Sequence, residues 1–170
     1  MSEVCIRLSV ANDSVNIRNL VSKCFGSVDA DKAIENVQGR YVVAVLGGRI
    51  VAITGLKFSK EYVGYELDYT CTEPEYQNNG IMHKLFSRLM FITDEKIYCS
   101  NLRIRGVKHT FMDSLLRDFG FKLALKDRVK YSSNLNCKKS CKVNGCKFSQ
   151  FGDSCYCAED LYIREDRSNV

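Results

Sequence analysis

Long apolar runs are missing from this chain, and proline is nearly missing. No apolar segment approaches the roughly 20 residues that a membrane-spanning helix requires, so no membrane partner is expected. The first residues, Met-Ser-Glu-Val-Cys, have neither a basic region nor an apolar core, so we expect no export sequence and a cytoplasmic location. The nine cysteines are then expected in a reducing compartment. The single proline, Pro74, marks the end of a strand.

What the composition does contain is typical of a folded domain. Hydrophobic residues make up 45% of the 170 residues and charged residues 26%, so disorder is not expected. This length predicts a single domain. The net charge of +5 permits an acidic partner without requiring one.

Hydrophobic patterning predicts an alternation of strands and helices. Two apolar runs, Tyr41–Leu46 and Arg49–Phe58, are joined by Gly47-Gly48, which is a strong hairpin pattern. Asp13 precedes a helical repeat and is expected to cap it. The predicted order is strand, helix, helix, hairpin, strand, helix, strand, helix, strand, with a possible last strand near the C-terminus.

The stretch Tyr65–Phe91 organises the rest of the chain. Its first residues alternate as a strand, with Glu66, Asp68 and Thr70 expected on one face and Cys71 on the other. A polar loop then leads to a helix with two apolar rows, Ile81, Leu85, Leu89 and Met82, Phe86, Met90.

A strand, a glycine-bearing loop and a helix start together direct backbone N–H groups and the positive end of a helix dipole at an anion. The loop is not a Walker loop, because no Lys-Ser/Thr follows Gly80, and it lacks the further glycines of a dinucleotide fingerprint. An ordinary turn at Asn79-Gly80 remains the alternative.

The loop resembles the Q/R-x-x-G-x-G/A motif of the Gcn5-related N-acetyltransferases (GNAT), which grips the pyrophosphate of acetyl-coenzyme A (acetyl-CoA). The residues at the positions of this motif are Gln77, Asn78, Asn79, Gly80, Ile81 and Met82. Met82 departs from the family's Gly or Ala, and a bulky side chain there could crowd the phosphates. The resemblance covers about residues 4 to 125, including Phe119-Gly120-Phe121. It implies an α/β (α+β) fold, with a largely antiparallel twisted sheet of about six or seven strands flanked by about four helices. It also implies a wedge in that sheet for the cofactor's pantetheine arm.

Chemistry at an amine requires a base, and two carboxylates are candidates. Glu66 lies eleven residues before Gln77, as the catalytic glutamate does in the histone-acetyltransferase branch that the chain resembles, and Asp68 is the second candidate. If both line the site, they favour a cationic acceptor. The alternative is that they are the solvent face of a strand. The resemblance further implies that a backbone N–H near Cys71 and Thr72 holds the thioester carbonyl.

The usual general acid of the family, a tyrosine, is replaced here by Leu116. Ser114, Tyr98 and His109 lie nearby in sequence, and none is favoured over the others.

The C-terminal part contains a cysteine cluster, interpreted as an insertion. We assign residues 1–126 to the core of the domain, residues 127–158 to the insertion and residues 159–165 to a possible last strand. The cluster consists of five thiols, Cys137, Cys141, Cys146, Cys155 and Cys157. So many thiols in a short span suggest a structural zinc site. Their spacing is not that of paired C-x2-C sites, so free or redox-active thiols remain the alternative. Interleaved lysines could contact a protein or nucleic acid.

The sequence therefore predicts an acetyl-CoA-dependent N-acetyltransferase that transfers acetyl directly, in a ternary complex, to a protein lysine, a chain N-terminus or a polyamine. One alternative is a non-catalytic binding module whose Cys/Lys-rich tail binds a protein or nucleic acid. Another is an enzyme that acts on a nucleic-acid base. The oligomeric state is left open.

Overall fold

The fold was analysed in a computed structural model that describes residues 3–104, 111–128 and 157–166. Its contacts divide the chain into two compact units, Met1–Glu95 and Lys96–Val170. The described residues contain seven strands and four α-helices, and the strands pair antiparallel within each unit. The predicted mixed α/β class, with about six or seven strands and about four helices, is confirmed.

The first unit is a four-stranded antiparallel arrangement in chain order with three helices. The strands are β1 (Cys5–Leu8), β2 (Tyr41–Leu46), β3 (Arg49–Ser59) and β4 (Gly64–Thr72). The helices are α1 (Ser14–Phe25), α2 (Ser27–Ala33) and α3 (Ile81–Ile92), with 3-10 turns at Ala11–Asp13 and Pro74–Tyr76.

The β2–β3 connection is the hairpin that the sequence predicts. Gly47 and Gly48 have φ angles of 56° and 79°, which a two-residue turn of this kind requires at both central positions. The register then places Gly55 of β3 opposite Tyr41 of β2. A Cβ atom on Gly55 would lie 2.5 Å from Cδ1 of Tyr41, so the glycine leaves room for the ring.

Helices α1 and α2 pack on one face of this sheet and build a core with β2, β3 and β4. The buried residues of that core include Ile17, Leu20 and Val21 of α1, with Tyr41 and Ile53 of the strands. α3 packs against β2 and β3 and buries the two apolar rows that its sequence predicts.

The capping role predicted for Asp13 is wrong. Its side chain makes no cap hydrogen bond to α1 and instead accepts hydrogen bonds from Arg7 at 2.6 and 2.9 Å and from the N–H of Val10 at 2.8 Å. The Arg7 guanidinium lowers the pKa of Asp13. A bidentate cation thus replaces the helix N–H groups as the partner of this carboxylate.

The second unit contains β5 (Ile97–Ile104), α4 (Phe111–Asp118), β6 (Lys122–Arg128) and β7 (Cys157–Arg164). β7 pairs antiparallel with both β5 and β6. β7 is the possible last strand of the sequence prediction and begins two residues earlier than expected. The predicted division into core, insertion and last strand stays a prediction, because most of the insertion lies outside the described residues.

Candidate functional site

A β-bulge interrupts β4 in the middle of the predicted active-site strand. Asp68 pairs with Gly55, and Cys71 pairs with Ile53. Two residues of β4 therefore lie between these pairs where β3 has only one. Because Ile53 and Gly55 lie on the same face of β3, Asp68 and Cys71 also share a face. The predicted alternation, with these two residues on opposite faces, is wrong, and the extra residue of the bulge is the reason.

One oxygen of the Asp68 carboxylate is fully engaged at the start of this bulge. Its Oδ2 accepts hydrogen bonds from Nε of Arg40 at 3.0 Å, from a terminal nitrogen of the same guanidinium, and from the Tyr41 hydroxyl at 3.1 Å. The Asp68 side chain is 3% exposed. Arg40 also donates to the carbonyl oxygen of Glu35 at 2.6 Å, so one side chain ties the bulge to the chain just after α2.

Burial, together with the Asp68 charge, raises the pKa of Tyr41 well above its ordinary range. The Tyr69 hydroxyl donates to Oδ1 of Asp29 at 3.2 Å, and burial likewise raises the pKa of Tyr69. Both phenols therefore stay protonated and serve as hydrogen-bond donors to carboxylates near neutral pH.

Glu66 lies on the same face of β4 in a looser environment. Its Oε2 is 3.8 Å from Nζ of Lys57, the residue opposite it on β3, and its side chain is 18% exposed. Lys57 also approaches Oδ1 of Asp68, at 3.9 Å. The structure thus brings both predicted carboxylates to one face and adds two cations, Arg40 and Lys57, that the sequence analysis did not include. Arg40 lies 28 positions from Asp68, and no local pattern connects the two.

The loop between β4 and α3 is an exposed turn built on two left-handed residues. Asn78 has a φ of 62° and Gly80 a φ of 70°. Nε2 of Gln77 donates to the carbonyl oxygen of Thr72 at 3.1 Å, and Nδ2 of Asn79 donates to that of Gln77 at 3.0 Å. The side chains of the loop thereby hold its own backbone, which leaves its outer surface open to solvent.

α3 begins directly after this turn with Gly80 as its N-cap, and within the described part of the chain no side-chain hydrogen bond caps it. The first helical hydrogen bond runs from the N–H of Lys84 to the carbonyl oxygen of Gly80 at 3.2 Å. Ile81 and Met82 are 5% and 8% exposed, so both side chains point into the core. The bulky side chain that could crowd phosphates at this position is therefore buried, and its effect on cofactor binding stays a prediction.

Glu73 anchors the entry to this loop and was not identified from the sequence. Its buried carboxylate accepts hydrogen bonds from Nζ of Lys23 at 2.7 Å and from Arg49 at 3.1 and 3.2 Å. Its N–H donates to the carbonyl oxygen of Val51 at 2.8 Å. The adjacent Pro74 was the available indication that the strand ends here, but nothing local indicates the two cations.

In the second unit, Leu116, at the position of the family's acid, is fully buried. Asn101 donates a hydrogen bond to the buried Asp113. Burial and a hydrogen bond with Asp113 raise the pKa of Tyr162 to about 12. Of the alternative acids, Ser114 is exposed and Tyr98 partly buried, while His109 lies outside the described residues.

Four of the five clustered cysteines lie outside the described residues, as does the side chain of Cys157. The zinc hypothesis and the Cys/Lys-rich docking surface therefore stay predictions. Among the described residues, no group of three or more His, Cys, Asp or Glu side chains could hold a metal ion. Cys71 is a buried thiol that forms no disulfide with another described cysteine. No described helix combines the length and apolar composition needed to cross a bilayer.

Comparison with known proteins finds similarity at the level of structure. No family model matches the sequence, and no curated protein matches it. A GNAT-family acetyltransferase from Bacillus cereus matches with a TM-score of 0.68 and 12% identity, covering 96% of this chain and 98% of that one.

Two further structures are those of enzymes with named acceptors. Diaminobutyrate acetyltransferase from Paenibacillus lautus, in complex with its substrate and coenzyme A, has a TM-score of 0.60 and 13% identity, covering 96% of this chain and 95% of that one. The ribosomal-protein-S18-alanine N-acetyltransferase of Escherichia coli has a TM-score of 0.57 and 15% identity, covering 95% and 91%. At these identities the likeness concerns the fold, and this chain has the fold of the GNAT-family acetyltransferases.

Proposed function

We propose that this protein is an acetyl-CoA-dependent N-acetyltransferase that transfers the acetyl group directly to an amine within a ternary complex. The observation that carries the proposal is the exposed turn Gln77–Gly80, which leads into the start of α3, where no described side chain caps the helix. Backbone N–H groups and the positive end of a helix dipole favour phosphate at such a place. The presence of coenzyme A in a protein of the same fold supports the proposal.

The proposed cofactor contacts follow the chain from β4 into α3. Residues Gln77, Asn78, Asn79, Gly80, Ile81 and Met82 would bind the pyrophosphate, chiefly through the backbone. The inward direction of the Met82 side chain supports this, because the position departs from the family's small residue without obstructing the turn. A backbone N–H near Cys71 and Thr72, just after the bulge, would donate to the thioester carbonyl and stabilise the charge that develops on its oxygen.

In the transfer, the amine nitrogen attacks the thioester carbon, the C–S bond breaks, and the coenzyme A thiolate leaves. A base must take the proton that the amine gives up. We assign this role to Glu66, directly or through a water molecule, because its carboxylate is partly exposed and has a lysine at 3.8 Å as its ion-pair partner. Asp68, the second candidate, is assigned to hold the bulge, because three donors already engage one of its oxygens.

Acetyl-CoA binding to the Gly80 turn can be tested with two substitutions that differ in charge. Gly80 has a left-handed backbone and open space around its Cα, and both Asn and Asp tolerate that conformation. Calorimetry should detect saturable 1:1 binding by the wild-type protein and by Gly80→Asn. Gly80→Asp places a carboxylate beside the proposed phosphates and should weaken binding by at least about tenfold.

Turnover is followed as release of the coenzyme A thiol in the presence of amines. Equal affinities of Gly80→Asp and Gly80→Asn would overturn the assignment of the loop. A wild-type protein that binds acetyl-CoA but never releases the thiol would overturn the assignment of enzymatic activity.

A further inference from the structure

The charges around Glu66 and Asp68 bear on the kind of amine that the enzyme accepts. From the sequence alone, two carboxylates on one face favour a cationic acceptor. In the structure, Arg40 binds Asp68 through two of its nitrogens, and the Lys57 ammonium lies 3.8 Å from Glu66 and 3.9 Å from Asp68. These four side chains carry two negative and two positive charges, so their sum gives no net attraction for a polycation.

The two cations differ in how firmly they are held. Arg40 is 18% exposed and is fixed by Asp68 and by the carbonyl oxygens of Glu35 and Lys32. Lys57 is 47% exposed, and both of its carboxylate partners lie near the 4.0 Å limit for an ion pair. Since Asp68 already has three other donors, it loses little if Lys57 moves away.

We propose that Lys57 is a specificity-determining residue, which binds a carboxylate on the acceptor while Glu66 faces the acceptor's amine. The assignment rests on the proposed acetyltransferase function. Lys57 and Glu66 are opposite residues on neighbouring strands. Side chains at such positions lie about 5 Å apart at Cβ. Adjacent positive and negative side chains match a molecule with an ammonium group and a carboxylate close together. The acceptor class is therefore a small amino acid, and a polyamine fits less well.

Matched pairs of acceptors that differ by one carboxylate provide the test. Lysine is compared with 1,5-diaminopentane, and arginine with its decarboxylated amine, by kcat/KM for thiol release. The wild-type enzyme should prefer the carboxylate-bearing member of each pair. Lys57→Gln should reduce that preference by about two- to fivefold, the effect of one partly exposed ion pair, while Lys57→Arg keeps it.

The readout is the ratio within each pair, because a general structural defect lowers both members equally. A wild-type preference for the diamines, or a ratio that Lys57→Gln leaves unchanged, overturns the role of Lys57 while the acetyltransferase activity stands. No turnover with any member of a pair, by a protein that binds acetyl-CoA, overturns the proposed activity and the role of Lys57 with it.

Discussion

Glu66 and Asp68 are two carboxylates on the same face of one strand, two residues apart, and their surroundings differ sharply. Asp68 is 3% exposed, and its Oδ2 accepts three hydrogen bonds from Arg40 and Tyr41. Glu66 is 18% exposed, with a lysine ammonium at 3.8 Å. Both are carboxylates on one face of the strand, so the sequence does not distinguish them. The number and the geometry of their hydrogen-bond and ion-pair partners do.

This difference separates a structural carboxylate from one that is available for chemistry. A carboxylate held by three fixed donors has little freedom to move, whereas a base must turn toward its substrate. A carboxylate with one distant ion-pair partner keeps that freedom. The predictions below change one side of this comparison at a time.

The largest effect is expected from Glu66→Gln, which removes the proposed base and keeps the shape of the side chain. Turnover should fall by about 10²- to 10⁴-fold, the usual contribution of a general base. The free energy of unfolding should change by no more than about 1 kcal/mol, because the one ion pair that is lost is long and reaches a half-exposed lysine. Thiol-release kinetics and urea denaturation measure the two quantities. Wild-type turnover by a folded Glu66→Gln protein would contradict the assignment.

Arg40→Ala addresses the structural side of the comparison. It leaves the Asp68 carboxylate buried without its main cation, and breaking a buried ion pair in this way costs about 3–5 kcal/mol. Urea denaturation should show the loss as a lower midpoint. Lys57→Gln is the control, since it removes a cation from the same group at a more exposed position, where about 0–1 kcal/mol is expected. Equal effects of the two substitutions would remove the distinction.

Gly55→Ala disturbs the ring of Tyr41, whose hydroxyl donates a hydrogen bond to Asp68. The added methyl group would lie 2.5 Å from Cδ1 of Tyr41 and 2.7 Å from the carbonyl oxygen of Arg40. Overpacking of this kind costs about 1–3 kcal/mol. Gly47→Asn is the control, because Gly47 has no atom near its Cβ position and Asn tolerates its positive φ. A Gly55→Ala protein as stable as the wild type would show that the ring can move freely.

The smallest effect concerns Asp13, another carboxylate with an arginine partner. Arg7 lowers its pKa, so the stabilisation is present above the unfolded-state value of about 4 and is lost as the pH falls through the folded-state pKa. In the Asp13→Asn protein, the free energy of unfolding should therefore fall less between neutral pH and acid than it does in the wild type. Urea denaturation at neutral pH and near pH 3 gives the difference, and an acid profile identical to that of the wild type would contradict the prediction.

Short-range features of the fold were predictable from the sequence. Gly47-Gly48 indicated the hairpin, and the apolar rows of α3 indicated which of its faces is buried. These features depend on residues within a few positions of one another. The Gln77–Gly80 turn was likewise identified by its glycine and polar residues.

Features that depend on distant residues were not predictable. The bulge in β4 follows from its register with β3, and a clean alternating pattern gives no indication of it. The hydrogen-bond donors to the Asp68 and Glu73 carboxylates come from positions 24 to 50 residues away. These distant donors determine which carboxylates are available as a base. No pattern of neighbouring residues predicts them.

The inward side chain of Met82 has a consequence for how such loops are recognised in other sequences. If the turn binds pyrophosphate as proposed, the buried Met82 side chain implies that such a turn constrains the direction of the backbone at this position more than the size of the residue. A search pattern that demands glycine or alanine there would discard chains of this kind. A pattern that accepts any core-forming residue after a left-handed glycine would retain them, and the number of candidate phosphate-binding turns would grow accordingly.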